Sequence, residues 1–354
     1  MILDEISKIK SLDKSGMLSS IDSLDEQCAE SFNDLKGVNF PTSLSKVKRV
    51  VVAGMGGSAL GAHIIDSLFF GQLKVSLEIV NDYHLPAYVD KDTLVILSSY
   101  SGSTEETVSC MKEVQKTGCK VIVLTSGKDL LAYKNKNKSW GYVFNPHFNP
   151  CGSPRMGLGY TLFGTMLIFG KLGFIKFDEA DIKKSIKTIE KYNEVFGAAT
   201  KSSENPAKQL ATQLQNKIPF YLASGFLAGS IHTAANQLNE NAKNFSGWFL
   251  LPEINHHLME GLVFPESIKK DLAFVFFESS LNETRIQKRF QLTKEAAKQK
   301  GISVSSYQLQ EKTKLGQVFE LLTLGSYISF YLAMLYNIDP TPIPVVDWFK
   351  KQMG

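Results

Sequence analysis

The stretch SSYSGST, residues 98–104, carries many hydroxyl groups for the end of an apolar strand. Five of its seven positions have an aliphatic hydroxyl: Ser98, Ser99, Ser101, Ser103 and Thr104. Such hydroxyls are neutral hydrogen-bond donors, and beside the N–H groups of a helix N-terminus they can hold a phosphate without any lysine. A helix N-cap at Ser103 or Thr104 would explain the end of the stretch, where two glutamates follow. It leaves Ser99 and Ser101 unexplained, and we therefore predict that these hydroxyls hold a phosphate group.

A second loop, GMGGSALG at residues 54–61, follows an apolar strand and opens a helix. Its glycines let a ligand approach the backbone, and the helix N-terminus attracts anions. Three interpretations stay open: a phosphate or sugar site that uses Ser58, a tight turn without a ligand, and a dinucleotide site, since residues 54–59 match G-x-G-x-x-A. The acid that a dinucleotide site requires would be Glu78, which lies in the middle of an apolar strand. The Ser58 site is favoured, and neither loop has the Gly-Lys-Ser/Thr of a P-loop.

Four further side chains could do proton or charge chemistry: Arg155 in SPRMG, Glu240 in NENAK, His256 in PEINHH and Lys350 in WFKKQM. Each also has an ordinary explanation, respectively a surface arginine, the frayed end of a helix, a structural histidine and a solvated lysine. The adjacent His256 and His257 could ligate a metal, but no carboxylate-rich ligand spacing accompanies them. Residue type alone leaves the four roles open.

The elements that must position these residues alternate between short apolar strands and helices. Strand-like runs, VKRVVVAG and TLVILSS, end at the two loops, and helical spacing follows each loop. Parallel sheets with helices on both faces have this pattern, so the sequence predicts an α/β fold with mainly parallel sheets. Ligands bind at the carboxyl ends of such strands, where both loops lie.

The same pattern recurs in the second half of the chain. The segment VVVAGMGGSALGAHIIDSL, residues 50–68, resembles FYLASGFLAGSIHTAANQL, residues 220–238. This weak internal repeat predicts two similar subdomains. We predict an N-terminal helical segment at residues 1–45, a first subdomain with the phosphate-binding loops at 46–175, and a second subdomain with the C-terminal helix and tail at 176–354.

Composition limits the class of protein. The chain of 354 residues is 44% hydrophobic and 21% charged, which is typical of a globular protein with more than one core. Its net charge of +4 is spread along the chain, without the concentrated basic patches of a nucleic-acid binder. The four cysteines form no CxxC and no signal peptide is recognisable, so we expect a cytoplasmic protein. The longest apolar run, residues 321–336, is shorter than a membrane span and predicts a buried helix.

Five motifs, taken in order, resemble a known family. GMGGSALG, SYSGSTEET, SPRMG, NENAK and PEINHH follow one another as in bacterial and archaeal bifunctional phosphoglucose/phosphomannose isomerases, which have the sugar isomerase (SIS) fold. The tail DPTPIPVVDWFKK, residues 339–351, resembles the C-terminal segment of that family. Ser103 departs from the family, which usually has asparagine there. The resemblance implies reversible isomerisation of glucose 6-phosphate or mannose 6-phosphate to fructose 6-phosphate through a cis-enediol, without a metal or an organic cofactor.

The resemblance also implies roles for the candidate residues. Glu240 would be the base that moves the proton, and Arg155 would stabilise the enediolate. Lys350, favoured over Lys351 by spacing, would reach the ring oxygen or a sugar hydroxyl. The phosphate would bind to Ser58, Ser99, Ser101 and Thr104, with Gly56 and Gly57 in the substrate loop.

His256 is implied as the residue that opens the sugar ring, and the family pattern favours it over His257. In this family the histidine enters the site from the partner subunit. The resemblance therefore implies a homodimer with shared active sites.

Two alternatives stay open. A regulatory protein with the SIS fold could bind a sugar phosphate through the same serines, but it would not need Glu240, His256 and Arg155 together. Such proteins usually carry a DNA-binding module, and no basic helix-turn-helix segment is recognisable. The other alternative is an isomerase that acts on a different sugar phosphate.

Overall fold

The structure is a computed structural model and describes residues 2–354. The strands are β1 Arg49–Ala53, β2 Ser76–Val80, β3 Thr93–Ser99, β4 Lys120–Thr125, β5 Trp140–Val143, β6 Ile218–Ser224, β7 Gly247–Leu251, β8 Leu272–Glu278 and β9 Ser303–Gln308. The α-helices are α1 Ile6–Leu12, α2 Met17–Asp22, α3 Leu24–Lys36, α4 Thr42–Ser45, α5 Gly57–Leu68, α6 Glu105–Thr117, α7 Lys128–Asn137, α8 Gly164–Lys171, α9 Glu179–Phe196, α10 Pro206–Leu214, α11 Ala228–Ala242, α12 Ile268–Asp271, α13 Thr284–Gln299, α14 Lys314–Leu335 and α15 Pro344–Met353. Single-turn 3-10 helices include Pro154–Met156 and Glu253–His256, and a π-helix spans Gly159–Phe163.

The chain divides into two compact units. One consists of residues 2–22 with Thr188–Gly354, and the other is Ser23–Lys187. The division falls inside α9, and it assigns α1 and α2 to one unit and α3 and α4 to the other. The subdomain boundaries predicted at residues 45 and 175 rest on the internal repeat and stay predictions.

The unit Ser23–Lys187 is built on five parallel strands in the order β2-β1-β3-β4-β5. β3 is buried at all seven positions, which suits its apolar and small side chains in a sheet covered on both faces. Ala53 at the end of β1 pairs with Leu97 near the end of β3. The loops that follow these two strands therefore start side by side. The strand order reverses between β1 and β3, and this is where open parallel sheets bind ligands.

The unit that contains Thr188–Gly354 is built on four parallel strands in the order β7-β6-β8-β9. Its core includes Leu222 of β6, Phe276 of β8 and Phe290 of α13. Ile254, two residues before His256, is buried in the same cluster. The PEINHH segment is therefore fixed to the core through its isoleucine.

Helix α14 lies in the core of this unit. Its length and composition would allow it to cross a membrane, but 94% of its most apolar window is buried inside the protein. A Cβ on Gly325 would lie 2.6 Å from the Cβ of Ala234, so glycine lets α14 approach α11 closely. The buried helix predicted from residues 321–336 is confirmed.

The α/β fold with two mainly parallel sheets is confirmed. The elements that were not predicted include the edge strand β7 and helix α7. Only one residue of each is buried, Leu251 in β7 and Leu130 in α7. Elements that bury so little leave no apolar periodicity in the sequence.

Candidate active site

Ser58 joins the two loops that follow β1 and β3. The backbone N–H of Tyr100 donates to Ser58 Oγ at 2.8 Å, and Ser98 Oγ donates to the Ser58 carbonyl oxygen at 2.7 Å. A Cβ on Gly54 would lie 2.7 Å from the Ser98 carbonyl oxygen, so only glycine permits this approach. The loops predicted to bind phosphate are thus one interlocked structure, and Ser58 is 7% exposed at its centre.

The hydroxyl-rich loop forms a tight turn around Ser99. Ser99 Oγ accepts a hydrogen bond from the Gly102 N–H at 3.0 Å and lies 2.7 Å from Thr104 Oγ1. Ser99 is fully buried, whereas Ser101 is exposed and its Oγ lies 3.4 Å from the Ser103 nitrogen. Ser99 and Thr104 therefore form a hydroxyl pair inside the turn, with Ser101 at its surface.

The helices after both loops begin without a side-chain cap. Gly56 is the N-cap of α5 and has no side chain. Thr104 is the N-cap of α6, but its hydroxyl faces Ser99 and accepts no hydrogen bond from the first turn. Of the two predicted N-cap positions, Ser103 and Thr104, the helix begins after Thr104, while the expected side-chain cap does not form. Two helix N-termini with their partial positive charge thus adjoin the same pair of strand ends, an arrangement that favours an anion.

The SPRMG segment crosses directly over the glycine-rich loop. A Cβ on Gly57 would lie 2.8 Å from the carbonyl carbon of Pro154 and 2.9 Å from the nitrogen of Arg155. Arg155 itself is 2% exposed. It is therefore not a surface arginine, and its backbone is held beside Gly57.

Sequence reasoning did not assign roles to Asn81 and Tyr100, which support these loops. Asn81 follows β2 and donates from Nδ2 to the Gly54 carbonyl oxygen at 2.6 Å. The Tyr100 hydroxyl accepts from Asn149 Nδ2 at 2.8 Å, and burial raises its pKa to about 12. Their positions at the ends of β2 and β3, the two parallel strands that flank β1, were the available signal.

Glu240 lies in the last turn of α11, in the other unit, and is partly buried. Both flanking asparagines anchor this end of α11 through side-chain hydrogen bonds. Asn239 Nδ2 donates to the Ser246 carbonyl oxygen at 3.0 Å, and the buried Asn241 donates from Nδ2 to Ser329 Oγ at 3.0 Å. Lys243 closes the helix with φ of 52° and donates to the Pro340 carbonyl oxygen at 2.8 Å. The NENAK segment is therefore a fixed helix end and not a frayed one.

The two histidines of PEINHH have different surroundings. His257 Nε2 lies 2.7 Å from Glu253 Oε2, and both side chains are exposed. His256 is also exposed, and within residues 2–354 it forms no hydrogen bond or ion pair. The preference for His256 over His257 stays a prediction. The two histidines differ physically in that, among the described residues, only His257 is paired with a carboxylate.

Lys350 and Lys351 lie on α15, a helix without a buried residue. Neither ammonium group is paired with another of the described residues 2–354. The choice of Lys350 therefore stays a prediction.

Two family models match the chain. The model described as "SIS domain" matches residues 43–137, and the model described as "Bacterial phospho-glucose isomerase C-terminal SIS domain" matches residues 203–353. The first match covers the two loops that follow β1 and β3, and the second covers Glu240, His256 and Lys350.

Curated relatives match over most of the chain. A bifunctional phosphoglucose/phosphomannose isomerase of Caldicellulosiruptor bescii is 31% identical, over 96% of this chain and 99% of that protein. A protein of the same name from Aquifex aeolicus is 27% identical, over 91% and 95%. A D-glucosamine-6-phosphate 4-epimerase of Sulfolobus acidocaldarius is 28% identical, over 66% and 70%.

Solved structures share the fold at low identity. A hypothetical protein of Thermus thermophilus has a TM-score of 0.71 and 18% identity, over 96% of this chain and 90% of that one. The C-terminal domain of glucosamine-fructose-6-phosphate aminotransferase from Francisella tularensis has a TM-score of 0.68 and 13% identity, over 94% and 99%. These similarities show a common fold.

Proposed function

The chain belongs to the family of bifunctional phosphoglucose/phosphomannose isomerases, and from this membership we infer that it interconverts glucose 6-phosphate and mannose 6-phosphate with fructose 6-phosphate. The observation that carries this conclusion is the 31% identity to a curated family member over 96% of the chain. The protein is an aldose–ketose isomerase, that is, an intramolecular oxidoreductase. The fold and the two interlocked strand-end loops agree with an enzyme that binds a phosphorylated sugar.

We propose that Glu240 transfers the proton between the two reacting carbons. In the aldose-to-ketose direction the carboxylate takes the proton from C2, which leaves a cis-enediolate, and returns it to C1. The O2 proton passes to O1, so no atom is gained or lost. Partial burial of Glu240 and a fixed helix end support this role, because a base must be held within hydrogen-bond reach of the carbon-bound proton.

We propose that Arg155 stabilises the negative charge that develops on the enediolate oxygen. A guanidinium cannot be deprotonated in a protein and is effective where water is excluded. Burial of Arg155 to 2% exposure supports this role. His256 and Lys350 would handle the sugar ring, the first by proton transfer during ring opening and the second through the ring oxygen or a hydroxyl.

The phosphate group is proposed to bind the loops at the ends of β1 and β3. Ser58 Oγ accepts from the Tyr100 N–H, so its own hydrogen stays available to a ligand. The Ser99–Thr104 pair needs only one of its two hydroxyl hydrogens for the mutual bond. Ser101 is exposed at the tip of the turn, and Gly56 and Gly57 allow close approach to the backbone of α5. The N-termini of α5 and α6 add partial positive charge.

A coupled assay with glucose 6-phosphate and mannose 6-phosphate in parallel tests the function. We expect both sugars to yield fructose 6-phosphate, and we expect excess EDTA to leave the rates unchanged, since none of the proposed steps uses a metal. Turnover of neither substrate would favour the regulatory alternative. Loss of activity with EDTA would contradict the metal-free mechanism. Glucosamine 6-phosphate is included as a third substrate to test the alternative that the enzyme acts on another sugar phosphate. This compound is chosen because one relative is named a D-glucosamine-6-phosphate 4-epimerase.

We further propose a cytoplasmic homodimer in which His256 completes the site of the partner subunit. Its exposure and lack of a partner among residues 2–354 support a role outside its own subunit. The four cysteines are free, which favours a reducing compartment.

Mixed dimers test the shared site. Glu240→Gln and His256→Ala homodimers should both be impaired, but a purified heterodimer of the two should regain about half of the wild-type kcat, because one of its two sites receives both native residues. If the histidine acted in its own subunit, the heterodimer would stay impaired. His257→Ala serves as the matched control, and we expect it to keep near wild-type activity.

A further inference from the structure

Gln27 is a buried polar residue in α3 to which neither the motifs nor the proposed mechanism assigns a role. Its side chain is fully buried, and it belongs to the same unit as the phosphate loops and Arg155. Burying an amide without hydrogen-bond partners costs free energy, so buried amides are normally hydrogen-bonded. The partners of Gln27 therefore show which part of the chain it holds in place.

Both ends of the Gln27 amide bind the segment that carries Arg155. Nε2 donates to the carbonyl oxygens of Met156 and Phe148, each at 3.0 Å. Oε1 accepts from the N–H of Gly159 at 3.1 Å. The three backbone groups lie before and after Arg155 in the chain, so one side chain fixes the segment on both sides of the arginine.

The position of α3 against this segment is set sterically. A Cβ on Gly159 would lie 2.2 Å from the Cβ of Gln27, so glycine alone allows the amide to reach the backbone. Gly159 also begins the π-helix Gly159–Phe163, a form that is rare and frequent near functional sites. The segment cannot slide along α3 without breaking these contacts.

Asn149 holds the other side of the segment. It is 3% exposed, and its Nδ2 donates to the Ser153 carbonyl oxygen at 3.0 Å and to the Tyr100 hydroxyl at 2.8 Å. The Tyr100 N–H in turn donates to Ser58 Oγ. Asn149 therefore connects the arginine segment to the loop that is proposed to bind phosphate, and the distance between Arg155 and the phosphate site depends on it.

We propose that Gln27 and Asn149 are positioning residues that set the location of Arg155 relative to the bound sugar phosphate. The proposal rests on the role given to Arg155 in the proposed function. Neither amide touches the reacting atoms in this scheme, and each acts through the backbone of residues 148–159. An arginine displaced by about an ångström stabilises the enediolate less, and losses near a hundredfold are typical of such shifts.

The test compares Gln27→Leu in the wild-type and in the Arg155→Ala background. Leucine has a similar size but no hydrogen-bonding group. We expect Gln27→Leu to lower kcat by at least about tenfold with KM within about twofold, because the phosphate loops keep their own contacts. In the Arg155→Ala background the same substitution should lower kcat by less than about twofold, since the residue through which it acts is gone.

Ser31→Ala is the matched control. Ser31 is fully buried one turn further along α3, and its Oγ donates to the Gly159 carbonyl oxygen at 2.8 Å. This substitution removes a hydrogen bond to the same segment but none to residues 148 or 156. It should lower the melting temperature and leave kcat unchanged. Circular dichroism and size-exclusion chromatography establish that each variant is folded.

Asn149→Asp provides a second, isosteric variant if Gln27→Leu does not fold, and the same kinetic pattern is expected from it. An unchanged kcat in either folded variant, or an equal loss of kcat with and without Arg155, would overturn the proposal. If Arg155→Ala alone kept the wild-type kcat, the role of Arg155 in the proposed function would fail, and the positioning proposal would fall with it.

Discussion

Glu240→Gln is expected to lower kcat for both sugars by roughly three orders of magnitude, because an amide cannot accept the proton from C2. KM should change little, since the phosphate is held by residues of other loops. A stopped assay with glucose 6-phosphate and mannose 6-phosphate gives both parameters. Loss of deuterium from C2-labelled substrate reports on the proton transfer itself.

The variant should remain folded because the neighbours of Glu240 hold this end of α11. Asn239 is bound to Ser246 and Asn241 to Ser329, while Lys243 closes the helix on Pro340. Glu253→Gln is the matched control, since that carboxylate is exposed and, among the described residues 2–354, it is paired only with His257. Wild-type turnover by a folded Glu240→Gln protein would remove Glu240 from the mechanism.

Gly57→Ala is expected to lower kcat/KM by about a hundredfold, because the added methyl group meets backbone atoms that cannot rotate away. Its Cβ would lie 2.8 Å from the Pro154 carbonyl carbon and 2.9 Å from the Arg155 nitrogen. To make room for this methyl group, the segment that carries Arg155 must shift, the glycine-rich loop must move away from it, or both must happen. The free energy of unfolding should fall by about 1–3 kcal/mol, as for other overpacked sites. Steady-state kinetics and urea unfolding measure the two effects.

Gly127→Ala is the control for this substitution. Gly127 precedes α7 in the same unit, its φ of 171° is open to any residue, and a Cβ there would meet no atom within 4 Å. We expect wild-type kinetics and little change in stability. If Gly57→Ala behaved like Gly127→Ala, the close contact between the glycine-rich loop and the arginine segment would be wrong.

In the proposed function, the two loops at the ends of β1 and β3 have a separate task from the ionisable residues. Ser58 is bound to the hydroxyl-rich loop through the Tyr100 N–H, and the Ser99 and Thr104 hydroxyls are bound to each other inside that loop, so together they form a neutral cradle. A cradle of this kind suits a phosphate, which takes no part in the reaction, and binding it orients the sugar carbons. In the proposed mechanism Glu240 acts on the carbon-bound proton and Arg155 on the enediolate charge, and neither step involves the phosphate.

Much of the fold was predictable because its strands and helices carry local signals. β3 occupies the predicted run TLVILSS at residues 93–99 as a fully buried strand, and α14, Lys314–Leu335, contains almost all of the apolar run at 321–336. β7 and α7 were not predicted, since a strand or helix that buries one residue has no apolar pattern to read. The motifs around Ser58, Ser99, Arg155, Glu240 and His256 were also visible in the sequence, because their residue types and order resemble those of a known family.

The sequence by itself thus determined most of the sheet-forming segments, the two loops after β1 and β3 and the family to which the motifs point. Only the tertiary structure decided how those loops are held. Gln27 and Met156 are 129 positions apart in the chain, yet they share a hydrogen bond inside one core. Periodicity and motif spacing record what a residue does within its own element. The partner of a buried amide depends on which distant backbone passes within about 3 Å of it, and that is fixed only when the whole unit packs.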